Sequence, residues 1–202
     1  MTLDKLFQRR DIWRGGRVSP STSDRLSTGF LPLDAVLPGG GWPQGALTEI
    51  LPMREGIGEL RLVIPALMRL SRSNRWIAWI APPRMPYAPA LATVGIDLSR
   101  VLLVRPTTKA DTLWATEQAL RYGKCGAVLA WPRQVNYRTL RRLQLAAEAG
   151  QAWGFLFRSP REKNSPSPAA LRLRLEPLGA GLAAQILKCR GGHVTKPIIL
   201  KV

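Results

Sequence analysis

Five short apolar segments, separated by helical patterns, constrain the fold of this sequence most strongly. The segments are residues 48–51, 75–81, 101–104, 127–131 and 153–157, and they are too continuously apolar to alternate between a buried and a solvated face. Strands of this kind are typical of a parallel sheet that is covered on both sides. Helical patterns separate them at residues 58–70, 87–94, 111–122 and 138–149. The order predicts an α/β domain with a mostly parallel central sheet covered by helices.

The pattern changes after residue 158, where residues 159–169 read as a polar, proline-containing loop. From residue 171 apolar side chains alternate with charged ones, which indicates a half-buried strand. Two further strands are predicted at 183–188 and 197–202, so residues 170–202 form an antiparallel C-terminal extension of the sheet. We therefore expect residues 26–202 to form one domain.

Residues 1–25 are expected to lie outside this domain as a basic N-terminal segment. A short apolar helix is predicted around Leu3, Leu6 and Phe7, and a linker rich in Ser, Thr and Pro follows at residues 19–23. A short helix tethered ahead of a domain is often a docking element, so these three side chains are candidates for binding a partner. The alternative is a frayed terminus.

The charge balance is extreme, because 30 Lys and Arg residues stand against 13 Asp and Glu residues and give a net charge of +17. This balance indicates a polyanionic partner or an acidic protein surface, the alternative being a solvated basic surface. The sequence has one histidine and two unpatterned cysteines, so we expect no metal site. The N-terminus lacks the apolar core of a secretory signal and no stretch of about 18 apolar residues occurs. We expect a cytoplasmic protein with no membrane partner, or one associated with the nucleoid.

Residues 51–60 (LPMREGIGEL) have the position of a phosphate-binding loop but lack its chemistry. A working loop needs a Lys that reaches the terminal phosphates and a Ser or Thr that holds Mg²⁺. Only Gly56 and Gly58 remain, and a Glu stands where positive charge is needed. We expect a degenerate phosphate loop without a cofactor. Passive nucleotide binding by the backbone N–H groups at these glycines is the alternative, and the structural explanation of the glycines is a tight turn that lets the helix pack on the strand.

Several motifs resemble the core of the RecA recombinase. They include LSTGFLPLD from Leu26, GGGWPQGALTEI from Gly39 and the run from Pro86 to Pro106. The resemblance implies where three catalytic groups should be, and none is present. The loop Lys is missing, the metal-binding Asp is replaced by the run Ala130-Trp131-Pro132, and the water-activating Glu falls on Pro83. Because these groups supply the chemistry of phosphoryl transfer, the resemblance implies a pseudo-ATPase and not an enzyme.

A further set of stretches, RWIAWIAPP, DTLWATEQALR, GAVLAW, LRRLQLAAE and GFLFR, resembles the ImuA and SulA family of bacterial damage-response proteins. SulA-type chains lack most of residues 26–46 and much of the tail, which favours the ImuA branch. That branch implies an accessory role in SOS-induced mutagenic translesion DNA synthesis. Its partners would be the RecA recombinase filament, the ImuB polymerase-like subunit and an error-prone DNA polymerase.

Two other functions remain open. A SulA-like inhibitor of cell division that binds the tubulin-like division protein is the alternative within the same family. Direct binding of single-stranded DNA is the second, and it is suggested by three groups of cations. The candidate nucleic-acid-binding residues are Arg138, Arg141, Arg142, Arg158, Arg161, Lys163, Arg172 and Arg174.

Overall fold

An eight-stranded sheet in the order β3-β2-β4-β5-β1-β6-β7-β8 forms the centre of the computed structural model, which describes residues 26–193 and 196–201. The strands are β1 (Ala46–Pro52), β2 (Trp76–Ile80), β3 (Val101–Val104), β4 (Cys125–Ala130), β5 (Trp153–Phe157), β6 (Leu171–Leu178), β7 (Gly181–Cys189) and β8 (Ile198–Leu200). Strands β1 to β6 pair in parallel, whereas β7 pairs antiparallel with β6 and with β8. The mixed α/β fold class with a mostly parallel sheet and an antiparallel C-terminal extension is therefore confirmed. Strand β6 joins the two parts, since it pairs in parallel with β1.

Five α-helices connect or precede the strands in the described chain. They are α1 (Leu31–Asp34), α2 (Ile64–Arg72), α3 (Ala88–Thr93), α4 (Lys109–Arg121) and α5 (Tyr137–Gly150). Three 3₁₀ helices, Glu59–Leu62, Leu98–Arg100 and Pro160–Asn164, lie in the connections. None of the described helices has the length and apolarity that a membrane span requires.

Apolar clusters cover both faces of the sheet, as the uninterrupted apolar strands predict. One cluster holds Ile50, Trp79, Leu129 and Phe155 and packs under α2. The other holds Leu47, Ile80, Val128 and Leu156 and packs under α4 and α5. Successive residues of one strand point to opposite faces, which explains why these strands show no polar alternation.

Two connections differ from the sequence prediction. The helix expected from residue 58 begins at Ile64, since Pro65 occupies its first turn and the preceding residues form a separate 3₁₀ turn. A delayed start is one of the effects that an internal proline is expected to have. The loop at 159–169 contains the 3₁₀ helix Pro160–Asn164, in which the Ser159 hydroxyl accepts from the Arg161 N–H. The docking helix at Leu3, Leu6 and Phe7, and the segment 1–25 that contains it, lie outside the described residues.

Candidate functional site

A cleft of about 1230 Å³ opens where the parallel strands end. Its lining includes the last residue of β1 and the residues that follow β2, β3, β4 and β5, together with the first turn of α4. We call it the carboxyl-edge cleft. Open α/β sheets bind their ligands at this edge, because the strand-to-helix loops converge there. The cleft is therefore the first place to look for a binding site in this fold.

The degenerate phosphate loop forms one wall of the carboxyl-edge cleft and is closed by its own carboxylate. Gly56 and Gly58 both have positive φ, at 80° and 96°, which glycine adopts without strain. The Gly56 N–H donates to Glu59 Oε1 at 3.1 Å. A carboxylate of the chain thus takes the place that a phosphate would need. The loop is followed directly by the four-residue 3₁₀ helix Glu59–Leu62. No long helix of the described chain therefore points its N-terminus at the loop, as a helix does in a phosphate-binding site.

Five exposed cations line the carboxyl-edge cleft. They are Arg54, Arg105, Lys109, Arg133 and Arg161, and none of them forms a side-chain ion pair within the described residues. Arg161 belongs to the nucleic-acid candidates, and sequence reasoning missed the other four. The signal was available, because Arg54, Arg105 and Arg133 each follow the end of a strand within three residues. The carboxyl ends of parallel strands meet at one edge, so cations in these positions gather there.

Beside the cleft, a buried ionic cluster lies around Glu49, which has no exposed surface. Arg158 Nη1 donates to Glu49 Oε1 at 2.8 Å, and Arg172 Nε donates to Oε2 at 2.6 Å. The Ser167 hydroxyl adds a third hydrogen bond, to Oε1 at 2.8 Å. Glu162 pairs with Arg158 at 3.3 Å. Each buried charge therefore has a partner, as burial requires.

This cluster corrects part of the predicted nucleic-acid surface. Arg158 and Arg172 are 5% and 6% exposed, and both are engaged by Glu49, so neither is available to a phosphate. Arg174 pairs with Glu176 at 2.6 Å, and Arg142 pairs with Glu117. The sequence shows a run of cations, whereas in the structure these four are already engaged by carboxylates of the chain itself.

Four of the predicted cations remain exposed and without an ion pair in the described chain. Arg138 and Arg141 lie on the first turns of α5, and Arg161 and Lys163 lie on the 3₁₀ helix after β5. Only Arg161 lines the carboxyl-edge cleft. The predicted set is thus split over at least two surfaces, and its role in nucleic-acid binding stays a prediction.

An apolar surface segment lies between residues 85 and 102. Its exposed members are Met85 (60%), Tyr87 (72%), Val94, Leu98 and Leu102. Met85 and Tyr87 precede α3, Val94 follows it, and Leu98 and Leu102 lie on the next 3₁₀ helix and on the edge strand β3. Five large exposed apolar side chains in so short a stretch are unusual for a surface that only meets water. We refer to these five residues as the apolar segment.

Burial shifts the pKa values of three titratable groups, the two cysteines and Lys188. Burial raises the pKa of Cys125 and of Cys189 above the ordinary thiol value. Burial also lowers the pKa of Lys188, whose Nζ donates to the Ser167 carbonyl at 2.6 Å. A raised pKa makes both thiols poor nucleophiles at neutral pH. Among the described residues, no three His, Cys, Asp or Glu side chains form a group that could hold a metal.

Comparisons with known proteins place this architecture in a family. The family model for "Cell division inhibitor SulA" matches residues 45–154, more than half of the chain. The chain is 29% identical over 114 residues to the cell division inhibitor SulA of Yersinia enterocolitica, covering 56% of this chain and 68% of that protein. It is 28% identical over 124 residues to the SulA protein of Serratia proteamaculans, covering 61% and 74%. The chain is also similar to SulA from Pseudomonas aeruginosa, for which a crystal structure exists, with 30% sequence identity and a TM-score of 0.47. The superposition covers 55% of this chain and 97% of the Pseudomonas chain.

The fold and the cleft define an α/β domain with a mostly parallel sheet and a cation-lined cleft at its carboxyl edge. The chain belongs to the SulA family. The matched range begins one residue before β1 and ends two residues into β5, so it contains α2 to α5, the degenerate loop and the apolar segment.

This result corrects the expected function. The translesion role of the ImuA branch is wrong, because the family model and the similar proteins are SulA cell division inhibitors. The features that favour ImuA in the sequence are residues 26–46 and the tail. Both are largely structural: Leu33, Leu173 and Leu175 from these segments have no exposed surface and belong to the main apolar cluster. They extend the sheet and its core, and they do not distinguish one partner from another.

Proposed function

We propose that this protein is a non-catalytic inhibitor of cell division, made in the SOS response and acting in the cytoplasm by binding the tubulin-like division protein. The observation that supports this most strongly is the family match over residues 45–154. That range includes four complete strands of the parallel sheet and all the helices that cover them.

The chemistry of the carboxyl-edge cleft supports a binding protein and not an enzyme. The degenerate loop has no Lys to neutralise a terminal phosphate, and the Gly56 N–H is taken by Glu59. The strand that would supply a metal-binding Asp ends in Ala130, followed by Trp131 and Pro132. Without these groups, the site lacks both the loop Lys and the metal-holding carboxylate that phosphoryl transfer uses. Inhibition must then come from occupying a surface of the partner.

The apolar segment is the surface that we assign to the partner. It lies within the matched range, and Tyr87 and Met85 expose most of their side chains. Protein interfaces are centred on exposed aromatic and apolar side chains that become desolvated on binding. Tyr87 is also the residue before the first turn of α3, so its position is held by a helix and not by a free loop.

Binding to the purified division protein and inhibition of its assembly would test the proposal together. We expect the chain to reduce light scattering by assembling division protein in proportion to its concentration, without consuming nucleotide itself. Production of the chain in growing bacteria should give long, undivided cells. A chain that bound recombinase filaments, and left both division-protein assembly and cell length unchanged, would contradict the proposal.

A further inference from the structure

We propose that the carboxyl-edge cleft is a binding site for an acidic peptide segment of a partner protein. The proposal does not depend on the inhibitor function, because it is drawn from the side chains that line the cleft. Three observations carry it: the unpaired cations, the prolines at the strand ends and one unpartnered carboxylate oxygen.

The unpaired cations show that the cleft attracts negative charge. Five cations without an ion pair in the described part of the chain follow the ends of β1, β3, β4 and β5 and line one opening, namely Arg54, Arg105, Lys109, Arg133 and Arg161. The carboxylates of the lining are Glu55, Glu59 and Glu162, and Glu162 is already paired with Arg158. Like charges that converge on a concave surface repel one another unless a ligand neutralises them, and the concave shape strengthens their field. Four of the five are arginines, whose planar guanidinium suits carboxylate and phosphate groups alike.

The prolines argue against a tightly held single phosphate. The second residue after β2, β3 and β4 is a proline in each case, namely Pro82, Pro106 and Pro132, and all three line the cleft. Proline has no backbone N–H, so the main-chain donors that cradle a phosphate in nucleotide sites are lost at these positions. Recognition is left to long side chains. These suit several carboxylates spread along an extended segment better than one compact phosphate group.

The unpartnered oxygen belongs to Glu59 and distinguishes a peptide from a nucleic acid. Glu59 is nine-tenths buried, and its Oε1 accepts from Gly56, whereas Oε2 has no hydrogen-bond partner in the described chain. A buried carboxylate oxygen without a partner is costly, and a ligand with hydrogen-bond donors would satisfy it. A peptide offers backbone N–H groups. The phosphodiester backbone of DNA offers none.

The aromatic side chains of the cleft also disfavour single-stranded DNA. Proteins that bind single strands stack the bases on exposed aromatic rings. In this cleft Trp131 and Phe157 stack on each other, with ring centroids 4.6 Å apart, and Trp79 lies against Trp131 at 5.8 Å. These rings are used within the protein, so they offer no free platform for bases.

Backbone strain at the rim is consistent with a built site. Ala81 and Gln134, which both line the cleft, have φ values of 51° and 26°. Residues other than glycine rarely adopt positive φ, and such strain is concentrated at binding and catalytic sites. Ala81 sets the course of the chain after β2, and Gln134 sets it just before α5.

Fluorescence anisotropy with the full chain tests the proposal, using a short fluorescein-labelled peptide of alternating Glu and Gly. The cleft variant Arg105→Ala with Arg133→Ala should weaken peptide binding by about tenfold or more, since two charge-assisted contacts are lost. The control is Arg138→Ala with Arg141→Ala, which removes the same charge from exposed positions outside the cleft lining. We expect the affinity of the control for the peptide to change by less than about twofold. All four substituted side chains are exposed, so both variants should have the same melting temperature as the parent protein.

Labelled oligothymidylate and unlabelled pyrophosphate, measured in parallel, give the opposing outcomes. Equal weakening by both variants would show that overall charge and not the cleft binds the peptide, and would overturn the proposal. Tighter binding of oligothymidylate, lost in the cleft variant alone, would replace the peptide with a nucleic acid. Full displacement of the peptide by an equal concentration of pyrophosphate would indicate a phosphate site. None of these measurements contains the division protein, so the inhibitor function is tested separately.

Discussion

Glu49 and Arg172 lie directly opposite each other in the parallel ladder of β1 and β6, and their side chains form a hydrogen-bonded ion pair of 2.6 Å. Glu49 has no exposed surface, and Arg172 has 6%. The pair joins residues that are 123 positions apart in the chain. A slip of β6 by one residue would move Arg172 to the other face of the sheet and leave Glu49 without it. The pair therefore favours one register where the C-terminal extension joins the parallel sheet.

The substitution Glu49→Gln is expected to destabilise the fold by about 3–5 kcal/mol, because it leaves Arg172 buried without a counter-charge and leaves Arg158 with Glu162 alone. Urea unfolding followed by circular dichroism measures this. The control is Glu176→Gln, which removes the exposed partner of Arg174 from the same strand, β6. Its cost should stay below about 1 kcal/mol. Equal losses in the free energy of unfolding would show that the buried Glu49 cluster stabilises the fold no more than an ion pair nearer the surface does.

Much of the fold could be predicted from the sequence because its signals are local. The apolar strands, their separation by helical patterns and the glycines or prolines at helix ends are readable without knowing the tertiary structure. The Glu49 cluster could not be predicted in this way. Its members lie on β1, on β6 and in the connection between β5 and β6. Only the folded sheet shows that Arg158 and Arg172 face a carboxylate and not water.

Gly150 marks a close contact between α5 and the end of α4. A Cβ at this position would lie 2.0 Å from the Leu120 carbonyl oxygen and 2.9 Å from the Arg121 carbonyl carbon. Both are backbone atoms, so they can yield only if α4 shifts. The substitution Gly150→Ala should cost about 1–3 kcal/mol by overpacking.

Gly123 supplies the matched control for that substitution. A Cβ there would meet nothing within 4 Å, and its φ is not positive. The substitution Gly123→Ala should be neutral or stabilising by up to about 1 kcal/mol, since it restricts the unfolded chain. Thermal melts of both variants check the pair. A Gly150→Ala protein as stable as Gly123→Ala would mean that the two helices are not packed as closely as described.

The buried Cys125 thiol predicts a loss of stability at alkaline pH. Burial raises the pKa of this thiol, an effect that Arg75 partly offsets. As pH rises past the ordinary thiol pKa of about 8.5, the unfolded chain releases the proton while the folded chain retains it. The folded state then binds more protons than the unfolded state, so the free energy of unfolding falls with increasing pH.

Urea midpoints at neutral and alkaline pH measure the effect. The variant Cys125→Ala should lose less stability than the parent between the two conditions, because it lacks the thiol. Other groups titrate in this range, including Lys188, whose lowered pKa acts in the opposite direction. The comparison is therefore made between the pH responses of the two proteins. Identical responses would show that the Cys125 thiol is not shielded from water.

The candidate sites were harder to predict than the fold, for a physical reason. Sequence reasoning selected cations that are close together in the chain, such as Arg172 and Arg174, and in the folded protein each of these is paired with a carboxylate. It overlooked Arg54, Arg105 and Arg133, which are far apart in sequence and meet at the carboxyl edge. The exposure of Tyr87 also appears only in the folded structure, where its side chain is 72% exposed. The function was hard to predict for a related reason. Residues 26–46 and the tail favour ImuA in the sequence, but in the structure they mainly extend the sheet and its core.

Tyr87 offers the most direct test of the proposed partner surface. It is 72% exposed, and only its carbonyl, which accepts from the Leu91 N–H, contributes to the start of α3. The substitution Tyr87→Ala removes the ring and keeps that bond, so the melting temperature should not change. If the apolar segment binds the division protein, an exposed aromatic anchor is lost, and affinity should fall by about tenfold or more.

The control is Leu31→Ala, which truncates a side chain that is 84% exposed on α1, outside the matched range. Titration calorimetry with the division protein should show weakened binding for Tyr87→Ala alone. Unchanged affinity in both variants would move the partner to another surface, because a desolvated aromatic anchor cannot be removed without cost.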